Sequence, residues 1–173
     1  MRPSKLSLVS FVLFIASTTP LAAQQASTGP WDVKALQSAE VKAEWGEPKG
    51  TTREVYYTGE PYQGKPTRVF AFYAKPKGDG PFPAVLCVHG GGGKAFDKWA
   101  EHWAERGYCA LAMDLSGNGP KGKLTDGGPD QSDEVKFRAF DEKSVRDMWT
   151  YHAVAAVLRG HNLLRTLDRK SVV

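Results

Sequence analysis

Residues 83–93 read PAVLCVHGGGG, and this stretch decides the fold class. The run from Ala84 to Val88 is continuously apolar and of strand length, which is typical of a strand buried on both faces. It ends at His89, and four glycines, Gly90 to Gly93, follow directly. Because glycine has no Cβ and adopts positive φ freely, such a turn lets backbone N–H groups approach a ligand closely. The stretch therefore predicts a buried strand that leads into a turn with accessible backbone donors.

A helix and a second buried strand are predicted after this turn. Apolar residues recur at the helical spacing i, i+3, i+4, i+7 and i+8, and Gly107 marks the end of the helix. They are Phe96, Trp99, Ala100, Trp103 and Ala104. Because both tryptophans follow this period, we expect them to pack in the core. Residues 108–115 then form a second apolar run, so strand, helix and strand predict a βαβ unit and an α/β class.

Further elements are expected on both sides of this unit. Residues 53–57 and 67–74 are rich in β-branched and aromatic side chains and predict a strand pair joined by a turn. A weak helical pattern at residues 33–41 precedes them. The polar segment 121–140 is too long for a plain connection and predicts a functional or lid-like loop. A helical pattern returns from about residue 141, with Gly160 as an expected interruption.

The first 23 residues have the composition of a secretory signal peptide. Arg2 and Lys5 precede the apolar run from Leu6 to Ala16, and small and polar residues follow up to Ala23. The run is much shorter than the ~20 residues that span a bilayer, so a membrane anchor is the weaker alternative. We therefore expect an exported protein, periplasmic or extracellular, without membrane contact after residues 1–23 are cleaved.

The charge pattern does not favour a nucleic-acid partner. The chain has 23 Lys and Arg residues and 19 Asp and Glu residues, for a formal net charge of +4. Cleavage near Ala23 would remove two basic residues and no acidic one, which lowers the charge to +2. Acidic residues interrupt the basic ones throughout, so no basic stretch matches a phosphate backbone. We expect no nucleic-acid partner.

Cysteine and histidine positions predict neither a metal site nor a cofactor site. Cys87 and Cys109 each lie in an apolar run, so we expect two buried thiols, although an exported location leaves a disulfide open. His102, His152 and His161 lie on or near predicted helices without the grouping that zinc requires. We expect no metal and no cofactor.

The glycine-rich turn lacks the two common phosphate-binding motifs. A Walker A motif requires G-x-x-x-x-G-K-[ST], whereas Val88 and Ala95 stand at two of its required positions around Gly93 and Lys94. A G-x-G-x-x-G fingerprint also fails, because Lys94 and Ala95 stand where its last glycine could fall. Two interpretations remain. The glycines form either a simple tight turn or an oxyanion loop, whose N–H groups stabilise charge on an attacked acyl carbonyl.

Two polar residues at strand ends are predicted to organise the neighbouring loops. A histidine at the position of His89 more often holds a loop through a hydrogen bond than acts as a general base. Asp114 ends the second buried strand, at the face where α/β proteins bind ligands. We expect Asp114 to organise the turn at residues 116–120 rather than to serve as a catalytic acid.

Several segments together resemble a known family. The sequences PAVLCVHGGGG at 83–93, WAERGY at 103–108 and MDLSGNG at 113–119 look like the acetyl xylan esterase and prolyl-oligopeptidase-like branch of the α/β-hydrolases. This branch includes dienelactone-hydrolase-like proteins. The tract GGPDQSDE at 127–134 is similar to secreted bacterial members. The resemblance covers residues 51–167, about the N-terminal half of the family's domain.

The resemblance implies a fold and a site. It implies an incomplete α/β-hydrolase domain at residues 51–173, with a mostly parallel sheet and flanking helices, after a lead-in at residues 24–50. The next strand of that fold would lie beside residues 84–88. The glycines that match the oxyanion loop of the family are Gly90, Gly91 and Gly92.

A catalytic nucleophile is missing from the 173 residues. The family presents its serine in a G-x-S-x-G elbow, and no serine of this chain lies in such a motif. The sequence most similar to this motif lies around Ser116, but Asp114 and Asn118 stand where glycines are required. The resemblance implies that nucleophile, acid and base lie beyond Val173, so we expect the chain to be inactive by itself.

The function implied by the resemblance is that of a secreted serine carboxylesterase, of which this chain is a fragment. Its expected substrate is an acyl ester, small or on a polysaccharide as in acetyl xylan esterases, cleaved through an acyl-enzyme. A prolyl-oligopeptidase-type serine peptidase is an alternative, because it shares this half of the fold. A truncated, non-catalytic secreted module is the other alternative.

Overall fold

The computed structural model describes residues 29–167. The predicted signal peptide lies outside the described residues. Within residues 29–167, no helix is long and apolar enough to cross a membrane.

The described residues form one mixed sheet with helices packed on it, and a small two-stranded ribbon. The elements in chain order are α1 (Val33–Ser38), β1 (Ala43–Trp45), β2 (Thr52–Thr58), β3 (Arg68–Ala74), β4 (Ala84–Val88), α2 (Asp97–Ala104), β5 (Cys109–Met113), β6 (Asn118–Gly119), β7 (Gly122–Lys123), α3 (Asp133–Phe137), a 3₁₀ turn (Val145–Asp147) and α4 (Trp149–Leu167).

The strand order of the main sheet is β1-β2-β3-β5-β4. Strands β2 and β3 pair antiparallel, with Val55 opposite Ala71, which confirms the predicted strand pair. Strands β4 and β5 pair parallel, with Leu86 opposite Leu111, and α2 connects them, which confirms the predicted βαβ unit. The α/β class with flanking helices is confirmed. The described part of the sheet is mixed rather than mostly parallel, because β1, β2 and β3 each join it antiparallel.

The described part of the lead-in, residues 29–50, contributes to this sheet. Strand β1 pairs antiparallel with β2, with Ala43 opposite Tyr57. Helix α1 is shorter than the pattern at residues 33–41 predicts, because Ala39 turns to an extended backbone. The start of the sheet therefore lies before residue 51.

Burial differs between the two strands of the βαβ unit. All five residues of β5 are buried, since β3 and β4 flank it on either side. Strand β4 lies at the edge of the described sheet, so only Cys87 is fully buried and Val88 is 47% exposed. This edge is where the resemblance places a further strand. Cys87 and Cys109 are free and buried, which confirms the expected thiols.

Helix α2 contacts the sheet through small residues. Ala100 and Ala104 are buried, and their short side chains bring the helix close to β5 and β3. Trp103 is half-buried and packs edge-on against Tyr108. The prediction of a core position is wrong for Trp99, which is 41% exposed, because it lies at the margin of the packed face.

Helix α4 runs without a break through Gly160, so the predicted interruption is wrong. Gly160 is buried against the sheet, where a Cβ would lie 2.6 Å from Met113 Cε and 3.0 Å from Tyr57 Oη. The missing side chain lets the helix approach β2 and β5. One turn earlier on α4, the backbone oxygen of Ala156 accepts a 3.0 Å hydrogen bond from the Tyr57 hydroxyl. Glycine therefore serves helix–sheet packing here.

Candidate functional site

The glycine-rich turn lies at the carboxyl end of β4. Gly93 N–H donates to the Gly90 oxygen at 3.1 Å, which closes the turn, and Gly92 has a φ of +72°. Gly90 and Gly91 are exposed, and a Cβ on either would meet nothing within 4 Å. Among the described residues, no acceptor bonds to the N–H groups of these two glycines. Two backbone donors are therefore open at this strand end.

His89 connects this turn to the segment after β5. The ring is buried, and Nε2 accepts a hydrogen bond from Leu115 N–H at 2.9 Å. Nδ1 lies 2.8 Å from the Gly90 oxygen, so Nδ1 carries the proton and donates to that carbonyl. A Cβ at Gly93 would lie 2.7 Å from Nδ1, so the fourth glycine leaves room for the ring. Both ring nitrogens are thus occupied in holding loops.

Asp114 lies beside His89 and holds the turn that follows β5. Its Oδ1 accepts hydrogen bonds from the N–H groups of Ser116 at 2.8 Å and Asn118 at 2.7 Å. Its Oδ2 is buried, without a hydrogen-bond partner among the described residues, and lies 4.0 Å from His89 Nε2. That distance exceeds a hydrogen bond, so no hydrogen bond joins these two atoms.

Gln131 belongs to this site, although sequence reasoning did not select it. Gly92 N–H donates to Gln131 Oε1 at 2.6 Å. One of the three N–H groups predicted as oxyanion donors is therefore engaged by a side chain. The available signal was the GGPDQSDE tract, which lies in the long polar segment and contains the glutamine.

The segment that carries Gln131 is tied to the turn after β5. Lys123 Nζ donates to the backbone oxygens of Ser116 at 3.1 Å and Gly128 at 2.7 Å, and burial lowers the pKa of this lysine. Gly117 and Gly127 meet backbone to backbone, where a Cβ on Gly127 would lie 2.1 Å from the Gly117 oxygen. The two loops therefore form one packed unit beside the glycine-rich turn.

A cavity of about 320 Å³ adjoins this unit. Aromatic and charged side chains share its wall, together with Ala95, Gly119 and Pro120. The aromatic and charged residues are Phe70, Phe72, Phe96, Lys94, Asp97 and Asp114. Such a mixture of flat apolar faces and polar groups is typical of a small-ligand site.

The remaining histidines do not meet in space. Within the described part of the chain, no group of three or more His, Cys, Asp or Glu residues could hold a metal ion. His152 packs edge-on against Tyr62, with ring centroids 5.5 Å apart. Burial lowers its pKa, and this outweighs a hydrogen bond with the Arg146 backbone and the charges of Glu60 and Asp147.

This lowered pKa predicts a loss of stability in acid. Because the folded state binds the His152 proton less tightly than the unfolded state, stability should fall as the pH drops below the ordinary value of 6.5. The fall should end once the pH lies below the folded pKa. We expect His152→Gln to flatten this dependence, measured as urea midpoints of the mature chain between pH 7.5 and 5. The control is His102→Gln, at an exposed position of α2. Equal slopes for both variants would contradict the prediction.

The fold and this site define a class. A βαβ unit with a glycine-rich turn after its first strand, within a mixed sheet flanked by helices, is the N-terminal part of an α/β-hydrolase-type domain. The acetyl xylan esterase family model matches residues 33–153, and the chain belongs to this family.

Two solved structures have the same fold over this region. Acetyl xylan esterase from Paenibacillus sp. R4 is 18% identical, with a TM-score of 0.51, over 79% of this chain and 45% of its own. Acetyl xylan esterase 1 from Thermoanaerobacterium sp. JW/SL YS485 is 19% identical, with a TM-score of 0.53, over 79% and 44%. The chain thus spans less than half the length of these structures. No curated protein sequence matches it significantly.

Proposed function

We propose that this chain supplies the oxyanion-loop part of a secreted serine ester hydrolase. The observation that carries the proposal is the pair of open N–H groups on Gly90 and Gly91 at the end of β4. Family membership supports ester hydrolysis as the reaction class. In such a reaction a serine attacks the ester carbonyl, and the carbonyl oxygen becomes an oxyanion before the acyl-enzyme forms.

The loop residues have distinct proposed roles. Gly90 and Gly91 donate their N–H groups to the oxyanion, and removal of one such donor raises the barrier by about 3 kcal/mol. Gly92 shapes the loop through its positive φ and its bond to Gln131. His89 and Asp114 hold the loops in place, since their hydrogen bonds run to backbone groups of the neighbouring turns.

The residues that line the cavity suit a substrate that has an apolar face and hydroxyl groups. Phe72 and Phe96, which are half-buried, offer aromatic surfaces of the kind that pack on the C–H faces of sugar rings. Asp97 lines the same cavity and is exposed, so its carboxylate can accept from a hydroxyl group. We therefore propose an acyl ester on a sugar, in a small molecule or a polysaccharide, as the substrate class.

Sequencing the DNA beyond codon 173 in all three frames is the first test of this proposal. A downstream G-x-S-x-G serine in any frame would supply the nucleophile that the proposal requires. The gene product carrying that serine should then hydrolyse acetyl esters. Absence of the motif in every frame would favour the non-catalytic module, and cleavage of proline peptides without ester cleavage would favour the peptidase.

The 173-residue chain alone is expected to be inactive. Without the nucleophile the covalent route is lost, and an oxyanion hole with binding alone gives a residual ~10³ to 10⁴ over water. Purified residues 24–173 should therefore release p-nitrophenol from p-nitrophenyl acetate no faster than the matched Ser116→Ala variant. Turnover that survives purification and disappears in Ser116→Ala would contradict this prediction, because Ser116 would then be a nucleophile.

We also propose export. Residues 1–23 would be cleaved, and the mature chain would begin at about residue 24. N-terminal sequencing of exported material should read from about Gln24. An intact Met1 species that stays in the cytoplasm would contradict this proposal.

A further inference from the structure

The side-chain amide of Gln131 lies against the candidate oxyanion loop, with its oxygen bonded and its nitrogen unpaired. Its Oε1 accepts from Gly92 N–H at 2.6 Å. Its Nε2 is buried and has no hydrogen-bond partner among the described residues. Because a backbone N–H requires an acceptor, the bond to Gly92 determines which end is the oxygen. The free end is therefore a donor.

A buried donor without an acceptor is costly. Leaving such a group unpaired costs its full desolvation penalty, and native proteins pair nearly all such groups. The ester group of the substrate carries acceptors only, namely its carbonyl and alkoxy oxygens. An oxyanion is a stronger acceptor still, because hydrogen bonds to ionised oxygens are roughly twice as strong as neutral ones. The unpaired Nε2 of Gln131 is therefore a donor suited to the carbonyl oxygen that the loop is proposed to bind.

The segment around Gln131 is held firmly enough to present this donor. Lys123 Nζ bonds to the Gly128 oxygen at 2.7 Å, three residues before the glutamine. Ser132 N–H donates to Asp130 Oδ1 at 2.9 Å, which forms a tight turn across Gln131 and lowers the pKa of Asp130. Donors that are fixed before the reaction need no reorganisation when charge develops.

We propose that Gln131 is a catalytic residue that completes the oxyanion hole. Its Oε1 holds Gly92, while its Nε2 donates a hydrogen bond to the carbonyl oxygen of the substrate as that oxygen gains charge. No proton leaves Gln131, and no covalent bond to it forms. The inference rests on the proposed ester-hydrolase function and adds a side-chain donor to the backbone donors Gly90 and Gly91.

Two substitutions separate the donor from the anchor. Gln131→Glu keeps an oxygen for Gly92 N–H but removes the donor, whereas Gln131→Leu removes both. In the gene product that carries a G-x-S-x-G serine, both variants should lower kcat for p-nitrophenyl acetate about 10²-fold with little change in KM. Gln37→Glu, the same change at an exposed position of α1, should retain the parent rate. The Gly92 amide resonance should stay near its parent position in Gln131→Glu and move in Gln131→Leu.

The results for the two Gln131 variants distinguish a donor role from an anchoring role. Parent-like turnover in Gln131→Glu with a loss in Gln131→Leu would overturn the inference, because anchoring of Gly92 would then be the whole role. Faster turnover in Gln131→Leu would also overturn it, since the side chain would then block the loop. An inactive parent enzyme would overturn the proposed function and this inference with it, whereas an active parent with unaffected variants would overturn this inference alone.

Discussion

Arg159→Met is expected to lower the free energy of unfolding by about 3–5 kcal/mol, because it leaves a buried carboxylate without its partner. Arg159 Nε donates to Glu60 Oε1 at 2.9 Å, and its Nη2 donates to the same oxygen. The two side chains are only 11% and 14% exposed. Water therefore has little access to the Glu60 carboxylate and cannot replace the lost hydrogen bonds of Arg159. Urea unfolding of the mature chain, followed by circular dichroism, measures the change.

The double variant Glu60→Leu with Arg159→Met is the control for this prediction. A buried ion pair can often be replaced by apolar residues of similar volume at little cost, so the double variant should recover most of the lost stability. The coupling free energy of the cycle then isolates the pair. Equal losses in the single and the double variant would contradict the ion-pair explanation.

Gly160→Leu is expected to destabilise the domain by about 3 kcal/mol or more, because overpacking in a filled core forces backbone shifts. The first atom of any side chain there would already lie 2.6 Å from Met113 Cε and 3.0 Å from Tyr57 Oη. Met113 and Tyr57 are among the most buried residues, so neither can move aside without disturbing β5 or β2. The melting temperature of the variant should fall by ten degrees or so.

Two further variants on α4 are the controls for the stability of Gly160→Leu. Val154→Leu adds volume at an exposed position of α4 and should change stability by less than about 0.5 kcal/mol. Gly160→Ala should fall between the two, since about 1 kcal/mol of helix propensity offsets part of the contact with the flexible Met113 end. A Gly160→Leu variant as stable as Val154→Leu would contradict the packing account.

Predictions from the local sequence pattern were confirmed where apolar residues recur with the period of a strand or a helix. The apolar run before His89 and the helical spacing from Phe96 to Ala104 predicted the βαβ unit, because a strand or helix must place its apolar side chains on its buried surface. The resemblance pointed to the acetyl xylan esterase family, which the family match confirms. Local pattern failed at Gly160, since glycine weakens a helix in isolation but here serves close packing.

The sequence by itself determined the α/β class, the strand that leads into the glycine-rich turn and the family. Tertiary structure alone decided which side chains meet at that turn and which residues pair elsewhere in the fold. Leu115 bonds to His89 across 26 positions, Gln131 to Gly92 across 39, and Arg159 to Glu60 across 99. Such contacts depend on strand order and on the paths of the loops, neither of which leaves a periodic signal in the residues. Burial patterns are local consequences of secondary structure, whereas hydrogen-bond partners are consequences of the whole packed chain.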